Sequence, residues 1–127
     1  ISEAYDHGIR NFISGFALVI DLMAAQLVQS LKCDLPGISL TAAIPFEGQA
    51  ERYNIYDKRV YRRLLELADK VIVLSDYYYP RCFLDRDKFM VENASYLIAY
   101  YDGREKGGTY YTVKKARARG IPIINVY

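Results

Sequence analysis

Residues 70–75 read KVIVLS. Val71, Ile72, Val73 and Leu74 form an unbroken apolar run, and three of the four are β-branched. A run of this kind, without in/out alternation, is the pattern of a strand covered on both faces, as in parallel sheets. Such a strand needs helices around it, and both flanks supply helical spacing. Residues 57–68 place Val60, Leu64 and Leu67 on one stripe, with Lys58, Arg59, Arg62, Arg63 and Glu66 facing out. After the loop DYYYPRC (76–82), a further helix is predicted over about 82–94.

The same alternation extends outward. Downstream, SYLIAYY (95–101) reads as a strand, 109–119 as a helix and PIINVY (122–127) as a last strand. Upstream, SLTAAI (39–44) reads as a strand ended by Pro45, with 46–56 irregular. Before the break at Pro36 and Gly37, residues 17–33 carry Ile20, Ala24, Leu27, Val28 and Leu31 at helical spacing. RNFIS (10–14) reads as a short buried strand, and ISEAYDHG (1–8) as the end of a helix stopped by Gly8. Strands alternating with helices predict an α/β, Rossmann-like three-layer fold. Its mostly parallel sheet holds about five strands with helices on both faces, in a single domain over 1–127.

Composition narrows the function classes. A net charge of +2, from 17 Lys and Arg against 15 Asp and Glu, is too balanced to argue for nucleic acid by itself. The two cysteines, Cys33 and Cys82, have neither metal spacing nor a partner motif, which fits a reducing, cytoplasmic setting. His7 is the only histidine, so a zinc site lacks ligands. No apolar run approaches the roughly 20 residues of a membrane span. Thirteen tyrosines with no tryptophan serve either base stacking or core and interface packing.

In open parallel sheets, ligands bind beyond the C-terminal ends of the strands. The candidate loops are therefore Ser14-Gly15-Phe16, Pro45-Phe46-Glu47-Gly48-Gln49, Ser75-Asp76-Tyr77 and Asp102 through Thr109. Gly15 and the Gly107-Gly108 pair each stand just before a predicted helix, whose free N–H groups suit an anion. Thr109 can cap that helix or bond a phosphate oxygen. The plain alternative is a turn followed by an N-cap.

Three stretches resemble the YpsA-like family of the SLOG superfamily, to which the DNA-processing protein A (Smf) and Lonely-guy proteins are related. They are FISGFALVIDLMAAQ (12–26), AAIPFEGQAERY (42–53), and RDKFMVENASYLIAYYDG (86–103) continuing into GGTYYTVKKA (107–116). The resemblance implies a Rossmann-like sheet in a bacterial protein that binds a nucleotide or nucleotide derivative, such as ADP-ribose or NAD, over the strand ends. It implies a ligand set of Ser14, Gly15, Asp21, Pro45, Glu47, Gln49, Arg86, Asp102, Gly107, Gly108, Thr109 and Thr112. It implies no settled activity.

Four departures stand out. Val19 occupies a family glycine, and valine resists positive φ. Asp87 replaces the asparagine after Arg86, and Tyr53 replaces a tryptophan. The family's first strand and its loop are absent, so the domain is expected to be N-terminally incomplete.

The Lonely-guy pattern, which cleaves a base from a ribose monophosphate, pairs an arginine with a glutamate. Arg86 and Met90 resemble its first half, but its glutamate position falls on Thr112, which cannot act as a carboxylate. Glu47, Asp102 and Asp21 are the remaining carboxylates near strand ends, each with an ordinary structural reading. The expectation leans away from an enzyme and assigns no catalytic residue. Cys82 beside Arg81 reads as either an activated thiol or a structural cysteine. Lys114, Lys115, Arg117 and Arg119, with Tyr77, Tyr78 and Tyr79, form the alternative of a single-stranded DNA surface. The small-molecule reading is preferred, in a chain free to form a homo-oligomer and without a membrane.

Overall fold

A computed structural model describes residues 1–127. Helices and strands alternate strictly, in the order the sequence predicts: α1 Ser2–Asp6, β1 Asn11–Ser14, α2 Ile20–Leu31, β2 Ser39–Ile44, α3 Ile55–Leu67, β3 Lys70–Val73, α4 Cys82–Glu92, β4 Leu97–Ala99, α5 Gly108–Arg119 and β5 Ile123–Asn125. Every strand pairing is parallel. The fold is α/β, as expected. The hydrogen bonds divide its five strands into a three-stranded sheet, β1-β2-β3, and a two-stranded sheet, β4-β5. Periodicity marks a segment as a strand but does not specify its neighbour, because pairing is a long-range choice. The chain correspondingly forms two compact units, Ile1–Tyr78 and Tyr79–Tyr127.

In the first unit, β2 is the strand buried on both faces. Leu40, Ala42, Ala43 and Ile44 are all sealed from solvent. Phe16, Leu22, Ala25, Val28, Tyr61 and Leu64 join Leu40, Ala42 and Ile44 in one core, so α2 and α3 pack against the sheet. The double burial predicted for KVIVLS therefore belongs to SLTAAI. β3 pairs only with β2, and Val71 and Val73 are 44% and 42% exposed. An apolar β-branched run reports strand propensity as much as burial.

The inner stripe of α3 also differs from expectation. Tyr61 and Leu64 are buried, while Leu67 is 40% exposed. Tyrosine scores as ambivalent in a hydrophobic pattern, yet its ring carries the packing here: it meets Phe16 edge-on at 5.7 Å and Tyr53 at 5.8 Å. The helix starts at Ile55, two residues earlier than predicted, because the Asn54 side chain accepts a hydrogen bond from the Asp57 N–H. Its C-terminal turn is tied to the rest of the unit by Asp69. One carboxylate oxygen accepts from the Leu40 N–H and from Lys32, each at 2.8 Å.

In the second unit, α5 turns Val113 and Ala116 inward and ends on Gly120 in the left-handed conformation. Its last turn is fastened to α4 by Arg119, which donates to the Glu92 carbonyl. Cys82 is 1% exposed, in agreement with its structural reading, whereas Cys33 is exposed. No helix is long and apolar enough to cross a membrane.

Candidate functional site

The predicted site residues fall into one group in each unit. In the first, they lie where β1 and β2 end. Ser14 closes β1, and its hydroxyl does two jobs: it accepts from the Phe16 N–H at 3.2 Å and donates to the Asp21 carbonyl at 2.9 Å. The Asp21 carboxylate reaches back to accept from the Ala17 N–H at 3.4 Å. The loop before α2 is thus drawn around its own side chains. Asp21 also puts a negative charge in the first turn of the helix, where the dipole favours it.

The backbone of this loop is strained. Phe16 has φ 58° and Val19 has φ 68°, ψ −89°. Phe16 is fully buried, and its carbonyl accepts from the Tyr53 hydroxyl, so packing holds it in place. Val19 is 71% exposed and has no such compensation from burial. The valine takes the backbone region that suits glycine, which costs on the order of 1–3 kcal/mol.

Gln49 explains why the loop stays put. It is buried, and its amide donates to the Gly15 carbonyl at 3.1 Å while its oxygen accepts from the Tyr61 hydroxyl at 3.1 Å. The side chain bridges the end of β1 to α3 and so has a structural task inside the wall of the expected site. Pro45 is fully buried at the end of β2. Glu47 is exposed, with its N–H bonded to the Ser75 carbonyl. Beside it runs a groove of about 300 Å³, lined by Glu47 and Glu51 of the turn, Lys58, Tyr61 and Arg62 of α3, and Val71 and Val73 of β3. Two acids face two bases, so the groove has no excess charge of either sign. Lys58 and Arg62, an i,i+4 pair on the outward face of α3, were readable in the sequence as a solvated helix face and not as groove walls.

In the second unit, the residues lie at the end of β4 and the start of α5. Gly107 is the N-cap, with φ 92°, and no side chain caps the helix. Thr109, expected as a cap, is instead exposed inside the first turn. Gly107 takes the cap position because its φ is one that threonine rarely adopts. The Thr112 hydroxyl bonds back to the Gly108 carbonyl at 3.0 Å. Asp102 is engaged by Arg104, accepting from its N–H at 3.0 Å and pairing with its guanidinium at 3.0 Å. The Tyr101 hydroxyl donates to the Arg104 carbonyl, and desolvation by partial burial is the main cause that raises the pKa of this phenol above the usual 10.

Arg86 is the most buried charged residue, at 5% exposure. Its Nε donates to Asp87 Oδ1 at 2.8 Å, and the Asp87 side chain is itself 15% exposed. The other Asp87 oxygen, Oδ2, lies 3.6 Å from the point a β-carbon on Gly108 would occupy. The carboxylate therefore links a buried guanidinium to the opening turn of α5. On the same helix, Asp85 accepts from the Tyr79 hydroxyl at 2.7 Å, and that bond to a carboxylate pushes the phenol above its usual 10. No group of three or more His, Cys, Asp or Glu side chains comes together as a metal ion would require.

Two of the four basic residues of α5 lie over tyrosines of their own helix. Lys114 lies over the Tyr110 ring at 5.9 Å and Lys115 over the Tyr111 ring at 5.4 Å. Tyr77 and Tyr78 are exposed, with Tyr78 edge-on to Phe46 at 5.6 Å.

Parallel strands alternating with helices, with a glycine-bearing turn ahead of a helix in each unit, define an α/β protein with strand-end loops as its candidate site. The model of the YpsA family, described as the YspA SLOG family, matches residues 1–120, and the chain belongs to that family. It is 32% identical over 118 residues to a UPF0398 protein of Bacillus pumilus (strain SAFR-032), covering 91% of this chain and 63% of that protein. It is 28% identical over 117 residues to UPF0398 proteins of Bacillus cereus (strain B4264) and Bacillus thuringiensis (strain Al Hakam). In both, the match covers 91% of this chain and 64% of the relative. The chain thus spans just under two thirds of the length of these relatives.

Proposed function

We propose that this chain is the ligand-binding part of a non-catalytic, cytoplasmic sensor for a nucleotide or nucleotide derivative of the ADP-ribose or NAD kind. The observation that carries the reading is Arg86: a guanidinium 5% exposed, on the helix whose Asp87 abuts the uncapped, glycine-led start of α5. The planar guanidinium of arginine suits buried pairing with carboxylate or phosphate oxygens in a fixed geometry. Gly107 and Gly108 let a ligand approach the backbone there, and Ser14, Gly15, Glu47 and Gln49 belong to strand-end loops of the other unit. The reading treats residues 1–127 as one domain of this family.

Hydrolysis of a glycosidic bond is disfavoured by the hydroxyl of Thr112, which is committed to the Gly108 carbonyl. Glu47 and Asp102 are the carboxylates for an enzymatic alternative, and Asp102 is held by Arg104. Calorimetric titration of the full chain with ADP-ribose, NAD and nucleoside monophosphates tests the proposal. Saturable binding is expected, with loss in Gly108→Val, whose side chain fills the space beside Asp87. Absence of binding to the whole panel, or binding indifferent to that substitution, overturns it.

A further inference from the structure

α2 differs from the other helices in what it shows to solvent. Its exposed residues are Met23, Gln26, Leu27 and Ser30, which recur at i, i+3, i+4 and i+7 and so form one face. That face lies on the far side of the helix from the buried Leu22, Ala25 and Val28. It carries no charge, because no ionisable residue stands between Asp21 and Lys32. Met23 and Leu27 are 47% and 50% exposed. The outward side of a surface helix is ordinarily charged. Every other helix follows that rule, with exposed Glu3 on α1, Arg59 on α3, Lys88 on α4 and Lys114 on α5. Depletion of charge together with exposed apolar side chains is the composition of an interface core.

We propose that the outer face of α2 is a homodimer interface, in which α2 packs against the α2 of a second copy of this chain across a two-fold axis. Charge selects the occupant. A helix that brings charged residues to this face buries them where no counter-charge waits, and α1, α3, α4 and α5 all carry such residues outward. The helix of this protein that meets a neutral face without that cost is α2 itself, and in a two-fold contact one patch serves both sides. Its polar groups fit the same arrangement. Gln29 Oε1 is a buried acceptor with no hydrogen bond in the chain. An amide carries both donors and an acceptor, so the glutamines of one copy, Gln26 and Gln29, supply what those of the other lack. Next to the face, a groove of about 330 Å³ between α2 and α3 has Gln26 and Gln29 in its wall and only Arg63 as a charged lining residue. It gives the partner's side chains a place to enter. A helix of 12 residues makes a contact about 18 Å long, which predicts a weak, micromolar dimer. The inference is independent of the nucleotide reading.

Sedimentation velocity of the full chain, from about 1 µM to about 1 mM, tests the proposal. The wild type is expected to pass from monomer to dimer over that range. Leu27→Glu and Met23→Lys each set like charges against each other at the contact and should weaken the dimer roughly tenfold or more. Both positions are exposed, so the fold of one copy tolerates the charge, and circular dichroism checks it. A second measurement identifies the contact directly. Leu27→Cys in a Cys33→Ser background is expected to give a reducible, disulfide-linked dimer on mild oxidation. Arg59→Cys in the same background, on the outer face of α3, is not, and the buried Cys82 stays out of the reaction. A wild type that is monomeric throughout the range assigns the face to a different occupant and overturns the proposal. So does a dimer that neither charge substitution weakens, or one that cross-links as well through Arg59→Cys as through Leu27→Cys.

Discussion

The turn before α2 and the turn before α5 begin from the same plan: a parallel strand ends, small residues follow, and a helix starts. They are finished differently. The first is satisfied from within, with Ser14 and Asp21 binding the loop's own backbone and Gln49 clamping it from outside. It carries two residues at positive φ that are not glycine. The second is unstrained at its cap because Gly107 sits there, and it has no cap side chain. Its nearby carboxylate comes from another helix and is shared with a buried arginine. A carboxylate that belongs to a helix's own first turn serves that helix alone, whereas Asp87 pairs with a buried arginine and also faces the start of another helix.

The largest effect should come from breaking the second arrangement. Arg86→Met strands the Asp87 carboxylate in a site where it is 15% exposed, and removing one partner of a buried pair costs about 3 kcal/mol. Urea denaturation measures the loss. A change within about 0.5 kcal/mol, the range of ordinary surface substitutions, would show that the pair is solvated and the contrast between the turns unreal.

The first arrangement should break next. Gln49→Ala removes two buried hydrogen bonds and leaves the Gly15 carbonyl and the Tyr61 hydroxyl to find new partners, for a loss of about 2 kcal/mol. Tyr61→Phe removes only one of the two bonds and should cost roughly half as much. Equal costs for the two variants would mean that Gln49 does not bridge the loop to α3.

Val19→Gly is expected to act in the opposite direction. Relief of the strained φ of 68° should raise stability by about 1 kcal/mol, after the entropy cost of the added glycine. A fall in the unfolding midpoint would indicate that the valine side chain, exposed as it is, holds the turn.

Asp69, away from both turns, supplies the baseline for an ordinary carboxylate. The hydrogen bond from Lys32 and that from the Leu40 N–H hold its pKa below the usual 3.8. Its contribution is therefore complete above that ordinary value and is lost as pH falls through the lowered folded value. Because the pair is solvent-screened, Asp69→Asn should cost only about 0.5 kcal/mol at neutral pH and flatten the acid side of the stability profile. An unchanged acid limb, followed by circular dichroism between pH 5 and roughly pH 2, would assign acid sensitivity to other carboxylates.

Much of the architecture could be read along the chain. Ten elements in the correct order followed from helical spacing, β-branched runs and breaks at Pro36, Gly37 and Pro45. The Asn54 cap lay within reach of sequence reasoning, since an Asn three residues before an Asp at the head of a helical stripe is a start signal. The exposure of Val71 and Val73 was not within reach, because apolar β-branched residues look alike on a central and on a terminal strand. Nor was the use of Tyr61 as a core residue, since tyrosine is compatible with either face.

For the candidate site, the sequence by itself determined which residue types stand at the strand ends: the glycines 15, 107 and 108, Arg86, and the substitutions Val19 and Asp87. Local chemistry is enough for that, because turns and helix starts are written in a few adjacent residues. Only the tertiary structure decided what each side chain faces. It turned Gln49 inward to Gly15 and Tyr61, gave Asp102 to Arg104, and set the Asp87 carboxylate between Arg86 and Gly108. The contacts of Gln49, and that of Asp87 with Gly108, join residues on different elements, up to 34 positions apart for Gln49 and Gly15. Their partners are chosen by packing, which no local pattern records.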